Sequence, residues 1–110
     1  MAIPAGYGIV QAMNRDSIIA TLKEHETALR ARGIAHAALF GSRARDDNGP
    51  DSDIDIMIEI HPDAVQDIYS YVALKARVAQ LFDAPVDVID RHSLKALVRA
   101  SAEADAIYAF

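Results

Sequence analysis

From Asp53 to Ile60 the chain alternates without a break, with isoleucine at 54, 56, 58 and 60 and Asp53, Asp55, Met57 and Glu59 between them. Strand side chains alternate faces, so residues two apart point the same way. One face of this segment is built for a core and the other opens with two carboxylates. Neighbouring positions on one face lie roughly 7 Å apart, and two carboxylates held there near a partly buried site repel unless one is protonated or a cation lies between them. The pattern therefore fixes a strand and points to a divalent metal on its polar face.

Ten residues earlier an apolar run from Ala37 to Phe40 ends in Gly41-Ser42-Arg43-Ala44-Arg45. Glycine lets the backbone approach a ligand closely, and Ser42 is a favoured N-cap for a short helix starting at Arg43. Backbone N–H groups and a hydroxyl at such a turn attract phosphate oxygens, and Arg43 and Arg45 can add charge-assisted contacts to a triphosphate. A surface ion pair with Asp46 or Asp47 explains Arg43 equally well. The polar stretch from Asp46 to Ser52 is a turn leading back to the sheet.

A third acid of the same kind stands in Ala84-Pro85-Val86-Asp87-Val88-Ile89-Asp90, a short β-branched run after a turn signal. If this strand lies beside the first, Asp87 comes onto the patch of Asp53 and Asp55, and three convergent carboxylates are what a pair of Mg²⁺ ions needs. Asp51, Asp53 and Asp55 also echo the first positions of a calcium-binding EF-hand loop, but that loop needs glycine and glutamate where this chain has Ile56 and Pro62. Glu59 and Asp90 read as solvated or structural acids.

Gly41-Ser42, ten residues, then Asp53-x-Asp55, with Asp87 on a later strand, resembles the minimal nucleotidyltransferases of the DNA polymerase β superfamily. The likeness runs from about Ile34 to Tyr108. It implies an α/β (α+β) polymerase β-like fold, a small mixed sheet with helices packed on one face. It also implies that Gly41 and Ser42 hold the nucleotide phosphates, that Asp53 and Asp55 bind two Mg²⁺ ions, and that Asp87 completes the site beside the attacking hydroxyl. Members of this length are commonly encoded with a HEPN-type toxin, onto a tyrosine of which they move AMP from ATP as its antitoxin. Two other functions are compatible with the sequence: a non-catalytic antitoxin that masks the toxin, and a nucleotidyltransferase acting on a small molecule of aminoglycoside type.

A chain of 110 residues that is 52% hydrophobic can bury one core, with no room for a second, substrate-reading domain. Acceptor specificity is then expected from a protein partner. The net charge of −5 and the lack of a basic stripe argue against direct nucleic-acid binding. The absence of cysteine excludes disulfides and thiolate metal sites, and His25, His36, His61 and His92 show no ligand spacing. No apolar run approaches membrane-spanning length and the start lacks the features of a secretory signal, so the expected compartment is the cytoplasm.

The remaining segments read as alternating helices and strands in one domain spanning residues 1–110. Met1 to Asn14 is expected to be an extended or poorly ordered lead-in. Asp16 is the expected cap of a helix to about Arg32, with Ile18, Ile19, Leu22 and Leu29 buried and Gly33 as its stop. Strands follow at about 34–40 and 53–60, the latter central. Asp63 should cap a helix to about Phe82 whose stripe Val65, Ile68, Tyr69, Val72, Ala76 and Ala79 covers the isoleucine face, which makes Tyr69 a core residue. After the strand at 84–90, Ser93 is expected to open a short helix and Ala102 to Tyr108 to form a last one, with Ile107, Tyr108 and Phe110 finishing the core or docking a partner.

Overall fold

The computed structural model describes residues 14–49, 52–64 and 67–110. In chain order the elements are α1 (Arg15–Glu24), α2 (Glu26–Ala31), β1 (Ile34–Phe40), α3 (Ser42–Arg45), β2 (Ile54–Ile60), α4 (Ile68–Ala79), β3 (Val86–Asp90), a single 3₁₀ turn (Arg91–Ser93), α5 (Ala96–Asp105) and β4 (Ile107–Tyr108). The sheet order is β3-β2-β1-β4. It is mixed: β2 runs antiparallel to β1 and parallel to β3, and β4 is antiparallel to β1. The expected central position of the isoleucine strand is what the sheet shows.

The two faces follow from register. Ala37 and Leu39 stand opposite Ile58 and Ile56, whereas His36, Ala38 and Phe40 stand opposite Glu59, Met57 and Asp55. The first set joins the main core with Ile18 and Leu22 of α1, Leu29 of α2, and Leu74 and Val78 of α4. Three of the four isoleucines, Ile54, Ile56 and Ile58, are wholly buried there, and each contributes about 2–3 kcal/mol relative to exposure. Helices α1, α2 and α4 thus cover the isoleucine face as expected. Helix α5 departs from a strictly one-sided arrangement, because its Ala102 packs on Ala38 and Met57, the apolar residues of the acid-bearing face.

Several local expectations are corrected. The first helix is capped by Asn14, whose side chain accepts from the Ser17 amide, rather than by Asp16, and the helix breaks at His25 into α1 and α2. Helix α4 is capped by Asp67, not Asp63, its side chain accepting from the Ser70 amide at 2.8 Å. That bond holds the Asp67 carboxyl below the usual carboxylate range. The stripe that α4 buries is Leu74 and Val78 with Tyr71 beside them, so Tyr69 is 83% exposed and Ile68 and Val72 also face outward. The tail forms one helix followed by the edge strand β4, in place of two helices.

Gly33 ends α2 with its N–H on the Arg30 carbonyl at 3.0 Å. The expected stop is therefore in place, at a left-handed φ of +105° that suits glycine. The lead-in Met1 to Met13, Asp51 and Val65 lie outside the described residues. Among the described residues, no helix is long and apolar enough to cross a membrane.

Candidate active site

Parallel pairing of β2 with β3 sets Asp55 directly opposite Asp87. Directly paired residues share a face, so the two carboxylates stand side by side about 5 Å apart at their backbones. Asp53 precedes Asp55 by two residues, just before β2 begins. On the other flank Asp55 is paired with Phe40, the last residue of β1. Asp55 is thus the inner acid, half-buried between two strands, and Asp53 and Asp87 are exposed.

Burial pushes the Asp55 carboxyl above its ordinary range, and the negative charges of Asp87 and Asp53 push it further, against a smaller opposing pull from Arg43 and Arg45. Carboxylate oxygens are hard donors of the kind that suits Mg²⁺. Among the described residues no group of three or more His, Cys, Asp or Glu side chains is placed so as to hold a metal ion.

Gly41 lies against this acid. Its backbone takes φ +76° and ψ −157°, a combination close to exclusive to glycine, and a Cβ added there would overlap the Asp55 Oδ2 and come within 3.2 Å of its Cγ. The glycine therefore supplies both a conformation and a space, and the space belongs to the carboxylate. Gly41 is the N-cap of α3 and Ser42 its first residue, one position earlier than expected. The Gly41 carbonyl accepts from the amides of Ala44 and Arg45, both at 3.1 Å. Asp46 closes the turn in the left-handed region at φ +62°.

The two arginines have different surroundings. Arg43 donates from Nε and Nη2 to the Ser52 carbonyl at 3.2 and 2.8 Å, bracing the loop that delivers Asp53. Arg45 donates from Nε to Asp47 at 3.1 Å and from Nη1 to Asp105 at 2.6 Å. The expected ion pair to Asp47 is therefore made by Arg45. Asp105, at the end of α5, is a residue that sequence reasoning missed, since nothing local to it marks a partner sixty positions away.

Further along the acid-bearing face, Glu59 is approached by Arg91 at 3.5 Å, His92 at 3.7 Å and His36 at 3.9 Å, and Arg91 also binds Glu103 at 2.6 Å. Arg91 thus gives Glu59 a cationic partner of its own. Asp90 accepts from the His92 amide. The apolar contact of Ala102 with Ala38 and Met57 separates this cluster from the three acids.

The Polymerase beta, Nucleotidyltransferase family model matches residues 16–108. A Methanocaldococcus jannaschii protein, MJ1379, provisionally named a protein adenylyltransferase, is 33% identical over 89 residues, which are 79% of this chain and 89% of that one. The protein adenylyltransferase MntA of Thermococcus cleftensis is 26% identical over 94 residues, 84% of this chain and 93% of the relative. Among solved structures, one described as a provisional minimal nucleotidyltransferase superposes with a TM-score of 0.70 at 22% identity, covering 87% of this chain and 96% of that one. A complex of a tri-AMPylated Shewanella oneidensis HEPN toxin with its MNT antitoxin gives a TM-score of 0.57 at 19% identity, covering 84% of this chain and 71% of the other.

Proposed function

The chain belongs to the polymerase beta nucleotidyltransferase family, and on that premise we propose that it is a Mg²⁺-dependent protein adenylyltransferase that moves AMP from ATP onto a tyrosine hydroxyl of a HEPN-type toxin, as its antitoxin. The observation that carries this reading is the register that pairs Asp55 with Asp87 beside the Gly41 turn. The names of the two relatives support a protein acceptor, and the MNT antitoxin complex with an AMPylated toxin supports its class.

In this reading Gly41 and Ser42 cradle the triphosphate, with Arg43 and Arg45 beside it. Asp53, Asp55 and Asp87 would hold two Mg²⁺ ions, which when bound offset charge on the phosphates and carboxylates and favour the ionised acceptor. The acceptor oxygen attacks the α-phosphorus in line; the new O–P bond forms as the bond to pyrophosphate breaks. Asp87, exposed at the side of the site away from Gly41, takes the hydroxyl proton. Asp55, the least solvated of the three, holds its position against the Gly41 backbone, so the acids keep their spacing as substrate enters. Placement and charge supply most of such catalysis.

The test incubates the purified protein with ATP, Mg²⁺ and the product of the adjacent reading frame, then looks for AMP adducts by intact-mass spectrometry. Adducts that are lost when Asp53 and Asp55 are changed together to Asn support the reading. Adducts that persist in that double variant overturn the role given to these acids.

A further inference from the structure

Arg45 sits one helical turn past Gly41, at the end of α3, and its guanidinium is gripped by two carboxylates. One, Asp47, is two residues away in the same turn. The other, Asp105, ends α5, the helix that packs its Ala102 onto the acid-bearing face. The Asp105 contact, at 2.6 Å, is the shorter, and the Asp105 side chain is only 24% exposed. With Nε given to Asp47 and Nη1 to Asp105, Nη2 makes no hydrogen bond among the described residues. The planar fork is therefore fixed at two points and leaves donors for a third anion.

Two carboxylates on one guanidinium more than cancel its charge, an arrangement unsuited to maximal long-range attraction of a polyphosphate. It is suited to orientation, because an arginine side chain otherwise loses rotamer freedom when it is ordered by a ligand. Resting on the reading that the Gly41–Ser42 turn receives nucleotide phosphates, we propose that Asp105 is a positioning residue, which through Arg45 ties the end of α5 to the phosphate turn and holds the guanidinium ready for the triphosphate. The helix on the acid face and the phosphate grip then form one unit. Asp105 touches no substrate and acts wholly through Arg45.

This makes a prediction opposite in sign to simple electrostatics. Removing a negative charge near a bound triphosphate should tighten binding if charge alone matters; if Asp105 orients Arg45, removing it should weaken binding. Isothermal titration of the full chain with Mg-ATP is the measurement, with Asp105→Asn, Asp105→Glu, Arg45→Gln and the Arg45→Gln/Asp105→Asn double variant. The expected result is a Kd raised about 3- to 5-fold in Asp105→Asn, the scale of one oriented charge-assisted contact at an exposed site. Asp105→Glu should recover part of that loss, and the double variant should be no weaker than Arg45→Gln alone. A melting temperature is recorded for each variant to separate loss of fold from loss of orientation. An unchanged or tighter Kd in Asp105→Asn, or an equal further loss in the Arg45→Gln background, overturns the proposal while leaving the site intact. Failure of the wild-type chain to bind Mg-ATP overturns the reading of the site itself, and the proposal with it.

Discussion

Replacing Gly41 with alanine tests the closest contact in the site. The backbone there, at φ +76° and ψ −157°, costs a residue with a Cβ about 1–3 kcal/mol. The new methyl would also overlap the Asp55 Oδ2, and Cγ of that residue, at 3.2 Å, would have to give way. The carboxylate cannot retreat freely, since Asp87 is its direct neighbour across the sheet. Against these costs, alanine reduces the freedom of the unfolded chain by about 0.4–1 kcal/mol. The net is a loss of about 2 kcal/mol. At about 2 cal/mol/K of unfolding entropy per residue, that lowers the melting temperature of a 110-residue chain by about 9 °C. Scanning calorimetry measures it directly. In an Asp55→Ala background the overlap disappears and only the backbone cost remains, so Gly41→Ala should cost about 1 kcal/mol less there, a coupling that a double-mutant cycle reads. A drop under 2 °C in the wild-type background, or no coupling to position 55, would refute the account of why glycine stands here.

Further outcomes follow from the same structure. Asp55 is held above its ordinary pKa, so its ionisation opposes folding; the penalty is absent below the usual carboxylate range and grows as pH rises through the folded-state pKa. In metal-free buffer Asp55→Asn should therefore melt higher than wild type at pH 7, with the difference fading towards pH 3.5, and a gap that widens on acidification would contradict this. Asn14→Ala removes the side chain that caps α1 and should cost about 1 kcal/mol, about 4 °C in a thermal melt. Ile58→Val, at a wholly buried position on the isoleucine face, should cost about 1 kcal/mol in urea unfolding with the slope unchanged, whereas Leu97→Ala, 88% exposed on α5, should shift the midpoint little.

What could be read from sequence was what local periodicity determines. The period-two run at 54–60 assigned both faces of β2, and the β-branched run around Asp87 placed a neighbouring strand whose in-phase pairing brought the acids together. Helix α4 shows where periodicity is ambiguous. It carries two apolar stripes, Ile68, Tyr69 and Val72 on one side and Tyr71, Leu74 and Val78 on another, and only the strand beneath it selects which is buried. Its cap was ambiguous for a related reason, because Asp63 and Asp67 are both good N-caps and the turn after His61, with the Ala64 amide on the His61 carbonyl, belongs to neither helix nor strand. Strand β4 is two residues long, too short for any pattern, and exists because β1 offers it an edge. The link from Arg45 to Asp105 is a tertiary contact, and no window along the chain contains both ends of it.

The core and the acids share one strand, and this has a consequence for how the molecule can fail. If β2 paired one residue out of step, its isoleucines would be delivered to water and Asp53 and Asp55 to the interior, an error far too costly to persist. The alternative to the observed pairing of β2 is therefore an unfolded chain rather than one folded in another register. Whatever holds the isoleucines of β2 in the core therefore also holds Asp53 and Asp55 in their places on the opposite face.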